Sequence, residues 1–273
     1  MKSVLDFKAR KGGAPITMST AYTHWEARLV ADSPVDCVLV GDSVANVIDG
    51  EATTFAATPE IIARHTAAVA RGLGGQRGGG GEGGAQKLLI ADFPFLAACK
   101  GIPAAVDCAA LLLRAGAHAA KIEGIDGHED VIRHLVQSGV PVIGHLGLTP
   151  QSVNAMGGYK VQGRGEETAA DLLRQARAVE TAGCFGLVLE CVPAALGREI
   201  TAALAIPTIG IGAGPDTDGQ VLVFHDLLGL TPGFRPKFVR PFAQGGQVAA
   251  AGLAAFAAAV GDRSFPSDTE SYH

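Results

Sequence analysis

The sequence predicts an α/β protein, a (β/α)8 barrel of the TIM type in a single domain with an added C-terminal helix. Three features carry that expectation. Short β-rich apolar runs alternate with segments of helical spacing, the order that right-handed crossovers between parallel strands require. The alternation recurs seven or eight times in 273 residues, which suits a closed barrel better than an open doubly wound sheet. The runs are hydrophobic almost throughout, as strands covered on both faces must be.

The series opens with a β-rich run at residues 16–22 and an amphipathic helix at 25–31. An apolar run at 37–40 and a helix at 59–71 follow, then a run at 87–91 and an Ala-rich helix at 103–115. Next come strand 119–122 with helix 128–137, strand 141–144 with helix 166–181, and strand 185–189 with helix 194–204. A seventh strand is read at 207–211, an eighth and weaker one near 237–239, and an Ala-rich terminal helix at about 247–260 that could pack on the barrel or on another subunit. Residues 72–84 break the pattern, being mostly glycine with Leu73, Gln76, Arg77 and Glu82 interspersed. Such a stretch has too little apolar surface to order itself, so it is read as a flexible loop on the barrel's stability face. A phosphate-cradling nest needs a fixed backbone, which a loop of this kind lacks.

A formal charge of −5 spread along the chain offers no basic stripe for nucleic acid and no polybasic face for a membrane. The longest weakly polar run, 248–260, is too short to span a bilayer. Cys37, Cys99, Cys108, Cys184 and Cys191 are an odd set without metal-ligand spacing, and Cys184 and Cys191 read as reduced, buried thiols. The first eleven residues are short and charged, unlike a signal peptide. A cytoplasmic protein is expected.

Chemistry is expected where polar residues interrupt the apolar strands. Asp42 ends one run, Asp92 another, Lys121 and Glu123 share a third, His145 follows a fourth and Glu190 a fifth. In a barrel these C-terminal strand ends converge on one mouth, and Lys121 and Glu123, two apart, face the same way. Crowded carboxylates repel unless protons or a cation intervene. An oxygen donor set without cysteine or paired histidines favours Mg²⁺, which suits a 2-keto acid and its enolate. Each residue also has a plainer reading: the aspartates as turn or cap residues, His145 as a satisfied core histidine, Glu123 as solvated. Their convergence at one mouth favours the site.

The same positions carry a resemblance. Val40-Gly41-Asp42-Ser43, Ala91-Asp92-Phe93-Pro94-Phe95, Lys121-Ile122-Glu123-Gly124, the run from Gly144-His145 through Pro150-Gln151-Ser152, Gly157-Gly158-Tyr159 through Arg164-Gly165, Val188-Leu189-Glu190-Cys191-Val192-Pro193 and the segment from Ile206 to Gly214 all occur in order. Together they resemble ketopantoate hydroxymethyltransferases, from about Ile16 to Phe242. The resemblance implies transfer of a hydroxymethyl group from 5,10-methylenetetrahydrofolate to 3-methyl-2-oxobutanoate in pantothenate synthesis. It implies Mg²⁺ held by Asp42, Asp92 and Glu123, directly or through water. Asp42, Ser43, Asp92 and Lys121 would hold the keto acid, His145 would contact substrate oxygens, and Glu190 would accept the C3 proton. It further implies a homo-oligomer, often a decameric ring. Thr23 stands where the family usually has Asp, Val44-Ala45 where it has Leu-Gly, the loop 46–57 differs, and the glycine tract is an insertion. Enolate-forming barrels of the phosphoenolpyruvate mutase and isocitrate lyase type are a rival within enzymes, but their cysteine-containing loop of the Lys-Lys-Cys-Gly type is not found here. An aldolase taking free formaldehyde is a second. A catalytically silent barrel, or one that binds another 2-keto acid, is the alternative from outside that chemistry.

Overall fold

The computed structural model describes residues 1–74, 87–233 and 235–273. It separates into two compact units, Met1–Val223 and Phe224–His273. The expected glycine loop lies, from residue 75 onward, outside the described residues.

The first unit is a closed, all-parallel, eight-stranded barrel whose strands pair in sequence order, with β8 returning to β1. The strands are β1 Ile16–Thr20, β2 Cys37–Val40, β3 Leu88–Asp92, β4 Ala119–Glu123, β5 Val142–Gly147, β6 Gly186–Glu190, β7 Thr208–Ile211 and β8 Gly219–Leu222. Its helices are α1 Val4–Lys8, α2 His24–Ala31, α3 Val44–Val47, α4 Pro59–Gly72, α5 Ile102–Arg114, α6 Glu129–Gln137, α7 Glu166–Thr181 and α8 Ala194–Ala203. The first seven expected strands and the helices between them are present, with ends moved by a few residues. The eighth strand is not at 237–239, where the chain turns, but at Gly219–Leu222. A glycine and a glutamine occupy half of that strand, so it lacks the apolar run that marks the others. Periodicity also passes over α1 and α3, which are too short to show a helical stripe.

Local sequence sets several helix starts. Thr58 caps α4 by accepting the N–H of Ile61, with Pro59 in the first turn. Thr23 and Glu26 form a capping box on α2, so the threonine that departs from the family pattern still performs the oxygen-acceptor task of a cap. Val44 and Ala45, the next departures, are fully buried and so alter packing behind the mouth.

Inside the barrel β3 and β4 run from apolar starts to charged ends, and β6 from an apolar run to Glu190. Leu88, Ile90, Ala119, Ile143, Val188, Ile209 and Val221 share a core with Phe7 of α1. Phe7 is wholly buried and meets the Phe185 ring edge-to-face at 5.2 Å, so α1 closes the floor beneath the strand starts. Beside that floor Asp218 ties β7, β8 and the N-terminal segment together. Its carboxylate receives Lys11 Nζ at 2.9 Å, the Gly12 N–H at 2.9 Å and the Thr208 N–H at 2.8 Å.

The second unit holds α9 Phe224–Leu227 and α10 Gly245–Gly261, the terminal helix found close to its expected span. No residue of α10 is buried, and Val248, Leu253, Phe256 and Val260 are all exposed. Among the described residues no helix is long and apolar enough to cross a membrane.

Candidate active site

The inward faces of β3 to β6 carry the site because alternate residues share a face. Asp92 pairs in register with Lys121 and Glu123 with His145. Glu190 lies opposite Gly147, at the end of β6. Asp42 lies two residues beyond β2, after a turn at Gly41. A Cβ on Gly41 would stand 2.7 Å from Ser43 Oγ, so glycine lets the chain fold that closely over Ser43. The Asp42 N–H then donates to Asp92 Oδ2 at 2.9 Å. The six polar positions expected at the mouth are brought together there, with Ser43 beside them.

Lys121 is the hub. Its Nζ lies 2.9 Å from Asp92 Oδ1, 3.8 Å from Glu123 Oε1 and 3.1 Å from His145 Nδ1. His145 in turn lies between two acids, with Nδ1 3.3 Å from Glu123 Oε1 and Nε2 3.2 Å from Glu190 Oε2. Burial favours neutral forms throughout, and the charged neighbours decide each outcome. Burial, then repulsion from Asp92 and Glu123, pushes the Asp42 carboxyl well above the usual carboxylate range. Burial also raises Asp92, against the pull of Lys121. Glu123 ends below its ordinary value, because hydrogen bonding and charge from His145 outweigh its burial. Lys121 ends above its own, because Asp92, Glu123 and Asp42 outweigh its desolvation.

Burial and the Lys121 charge lower the His145 pKa, but Glu123 and Glu190 outweigh both and set it at about 9. A neutral Nδ1 could accept from Lys121; an imidazolium is instead paired by charge with Glu123 and Glu190. With acids on both sides the imidazolium is the better description, and the Lys121 contact is then a close approach within a shared acidic cage. Within the protein, the contacts of His145, the residue expected to meet substrate oxygens, are the two glutamates and Lys121.

Glu190 differs from its neighbours in access. Its side chain keeps 16 % exposure, against 5 % or less for Asp92, Lys121, Glu123 and His145. The backbone turns sharply behind it. Cys191 adopts φ 48°, in the left-handed region, and Gly147 has φ 92° with no room for a Cβ, which would lie 2.2 Å from the Glu190 carbonyl oxygen. Such strain is retained where a side chain must be aimed. Cys191 is half-buried, unlike the buried thiol expected, while Cys184 is buried.

Three contributors were not visible in the sequence as individual site residues. Tyr22 Oη lies 2.7 Å from Ser43 Oγ and so fixes the serine hydroxyl from behind. Gln151, in the short turn Pro150–Ser152 after β5, reaches Asp42 with its side chain and Glu123 with its backbone. Tyr159 is 60 % exposed, yet its hydroxyl is held above its usual pKa by partial burial and by Asp42, Glu190 and Glu123, which brings the loop after β5 within the field of the mouth. Only the motif context of Gln151 and Tyr159 hinted at either.

The donor chemistry at the mouth fits a hard cation. Asp92 Oδ1 and Glu123 Oε1 are buried oxygens that accept no well-directed hydrogen bond; Lys121 faces both by charge, and His145 faces the second. Adding Asp42 gives an oxygen-only set, the preference of Mg²⁺. Among the described residues no three His, Cys, Asp or Glu side chains stand in a ready ligand cluster. Lys121 and His145 engage these carboxylates instead, so a cation would take over oxygens that they now hold.

Comparison with known proteins agrees with this architecture. The solved structure of 2,3-dimethylmalate lyase, a member of the phosphoenolpyruvate mutase/isocitrate lyase superfamily, superposes with a TM-score of 0.61 at 17 % identity, covering 100 % of this chain and 89 % of that one. At that identity the likeness is one of fold. Sequence relatives are much closer. The chain is 50 % identical to the 3-methyl-2-oxobutanoate hydroxymethyltransferase of Bdellovibrio bacteriovorus over the full length of both. It is 48 % identical to that of Legionella pneumophila, over 98 % of each. The family model described as ketopantoate hydroxymethyltransferase matches residues 2–268. A barrel whose acids, lysine and histidine stand together at the strand ends, and whose sequence matches that family nearly end to end, belongs to the ketopantoate hydroxymethyltransferase family.

Proposed function

We propose that this protein transfers a hydroxymethyl group from 5,10-methylenetetrahydrofolate to 3-methyl-2-oxobutanoate, giving ketopantoate for pantothenate synthesis through a Mg²⁺-stabilised enolate. The observation that carries the reading is the accessible Glu190 carboxylate, aimed into the mouth and paired with His145 at 3.2 Å, above the buried Lys121. A keto acid seated there has its negative charge offset by Lys121 and its carboxylate within reach of the Ser43 hydroxyl, itself fixed by Tyr22. Bound at Asp42, Asp92 and Glu123, Mg²⁺ would supply Lewis-acid polarisation of the keto acid oxygens.

Glu190 takes the C3 proton as general base, and the electron pair of that C–H bond becomes the enolate. His145 holds Glu190 in position, and Lys121 offsets the charge that develops on oxygen. The enolate carbon bonds to the folate-borne methylene, whose two C–N bonds are broken in the reaction; one water is consumed and its oxygen becomes the new hydroxyl, while the C3 proton and a proton of that water end on the two nitrogens of the released tetrahydrofolate. The names of the relatives support the substrate. We place the protein in the cytoplasm as a homo-oligomer, a decamer being the expected form, and the exposed apolar residues of α10 support a subunit contact.

The test is exchange of the C3 proton of 3-methyl-2-oxobutanoate in D₂O, followed by NMR with and without tetrahydrofolate. Exchange that disappears with EDTA and returns with Mg²⁺ is the expected result. Folded protein that exchanges nothing under any of these conditions would rule the enolate reading out.

A further inference from the structure

We infer that Gln151 is the positioning residue of the cation site, a neutral clamp that presets Asp42 and Glu123 without neutralising them. The inference rests on the Mg²⁺ reading above. Gln151 is carried by the turn Pro150–Ser152 beyond β5 and reaches back across the mouth. Its Nε2 donates to Asp42 Oδ2 at 2.8 Å and to the Phe93 carbonyl, next to Asp92, also at 2.8 Å. Its backbone N–H donates to Glu123 Oε2 at 3.0 Å. A primary amide has two N–H donors, and here both are used, so the side chain cannot rotate without losing both partners. One residue thereby ties together the exits of β2, β3 and β4, which supply the three proposed ligands.

The residue type matters as much as the position. Lys121 contacts Asp92 and Glu123 but carries a positive charge that competes with a cation. An amide offers the hydrogen bonds of a cation without its charge, leaving the negative potential of the mouth intact. It occupies one oxygen of each carboxylate, Asp42 Oδ2 and Glu123 Oε2, and leaves the other of each to the mouth; Glu123 Oε1 is buried without a directed hydrogen bond. A glutamate at this position would bring another carboxylate against Asp42. Outer partners of this kind orient ligands and commonly govern metal affinity by about 10- to 100-fold.

The experiment titrates Mn²⁺ into the full-length protein and reads the free ion by electron paramagnetic resonance, with circular dichroism as the check of folding. Gln151→Met keeps the length of the side chain and removes both donors. It is expected to weaken Mn²⁺ binding about 10- to 100-fold while the apo protein keeps its fold. Gln151→Asn keeps the amide on a stem one methylene shorter and is expected to bind weakly as well, and it carries the test should the methionine variant not fold. A purely structural role would lower the unfolding midpoint and leave the Mn²⁺ affinity of the folded fraction unchanged. Folded variants that bind within about twofold of wild type therefore overturn the clamp alone, whereas wild-type protein that takes up no Mn²⁺ overturns the metal reading and the clamp with it.

Discussion

Asp218 and Asp42 are two largely buried aspartates of one barrel, at opposite ends of it, and their surroundings could hardly differ more. At the floor, burial pushes Asp218 up, but Lys11, the Gly12 N–H and the Thr208 N–H outweigh it and hold the carboxyl below its usual range. At the mouth, Asp42 accepts the Gln151 amide and faces Asp92 and Glu123, so burial and repulsion leave it far above that range. The floor acid is saturated and closes the structure. The mouth acid lacks compensation, and that deficit is what a cation can make up. A carboxylate shows its purpose less by being buried than by how completely the protein answers its charge.

Substitutions at each end can break this contrast. The largest effect is expected from Glu190→Gln, which should cut C3 proton exchange by about 10³-fold or more while Mn²⁺ and keto acid still bind; unchanged exchange would remove Glu190 as the base. Lys121→Met should cost about 3–5 kcal/mol in urea unfolding, because it strands buried acids, and Mg²⁺ should restore part of that loss. Asp218→Asn should cost about 1–3 kcal/mol with exchange per folded molecule unchanged, whereas Asp42→Asn should abolish exchange and leave the unfolding midpoint unchanged or higher. A midpoint that falls as far in Asp42→Asn as in Asp218→Asn would erase the distinction.

The smallest effect concerns pH. Asp218 has a folded pKa below its unfolded value near 3.8, so its contribution is present above that value and is lost as pH falls through the folded pKa. Acid titration of wild type against Asp218→Asn should therefore show the two stability curves converging below about pH 4.

The barrel was legible because seven strands are nearly continuous apolar runs, and a buried parallel strand leaves that mark whatever surrounds it. The eighth was not, since Gly219 and Gln220 make it resemble a turn while Val239, in a true turn, resembles a strand remnant. The polar residues at the strand ends were legible for a related reason, as a charged side chain closing an apolar run stands out. Gln151 and Tyr22 did not stand out. Their importance comes from partners 109 and 21 residues away, a separation that local spacing does not encode. The contacts of His145 were hidden in the same way, because its neighbours Glu123 and Glu190 come from the strands on either side of it.

The floor formed by Phe7 has a kinetic consequence. With the strand starts filled by its ring against Phe185, the floor is closed to traffic, and under the proposed function two reactants of unequal size would share the mouth. Under the proposed function, the small keto acid would have to be seated before the folate stands in the entrance, and ketopantoate would have to wait until tetrahydrofolate had gone. Product inhibition should then follow an ordered pattern, with ketopantoate competing against the keto acid alone; a random pattern would mean that the entrance admits both at once. A plugged barrel is a vessel with a queue.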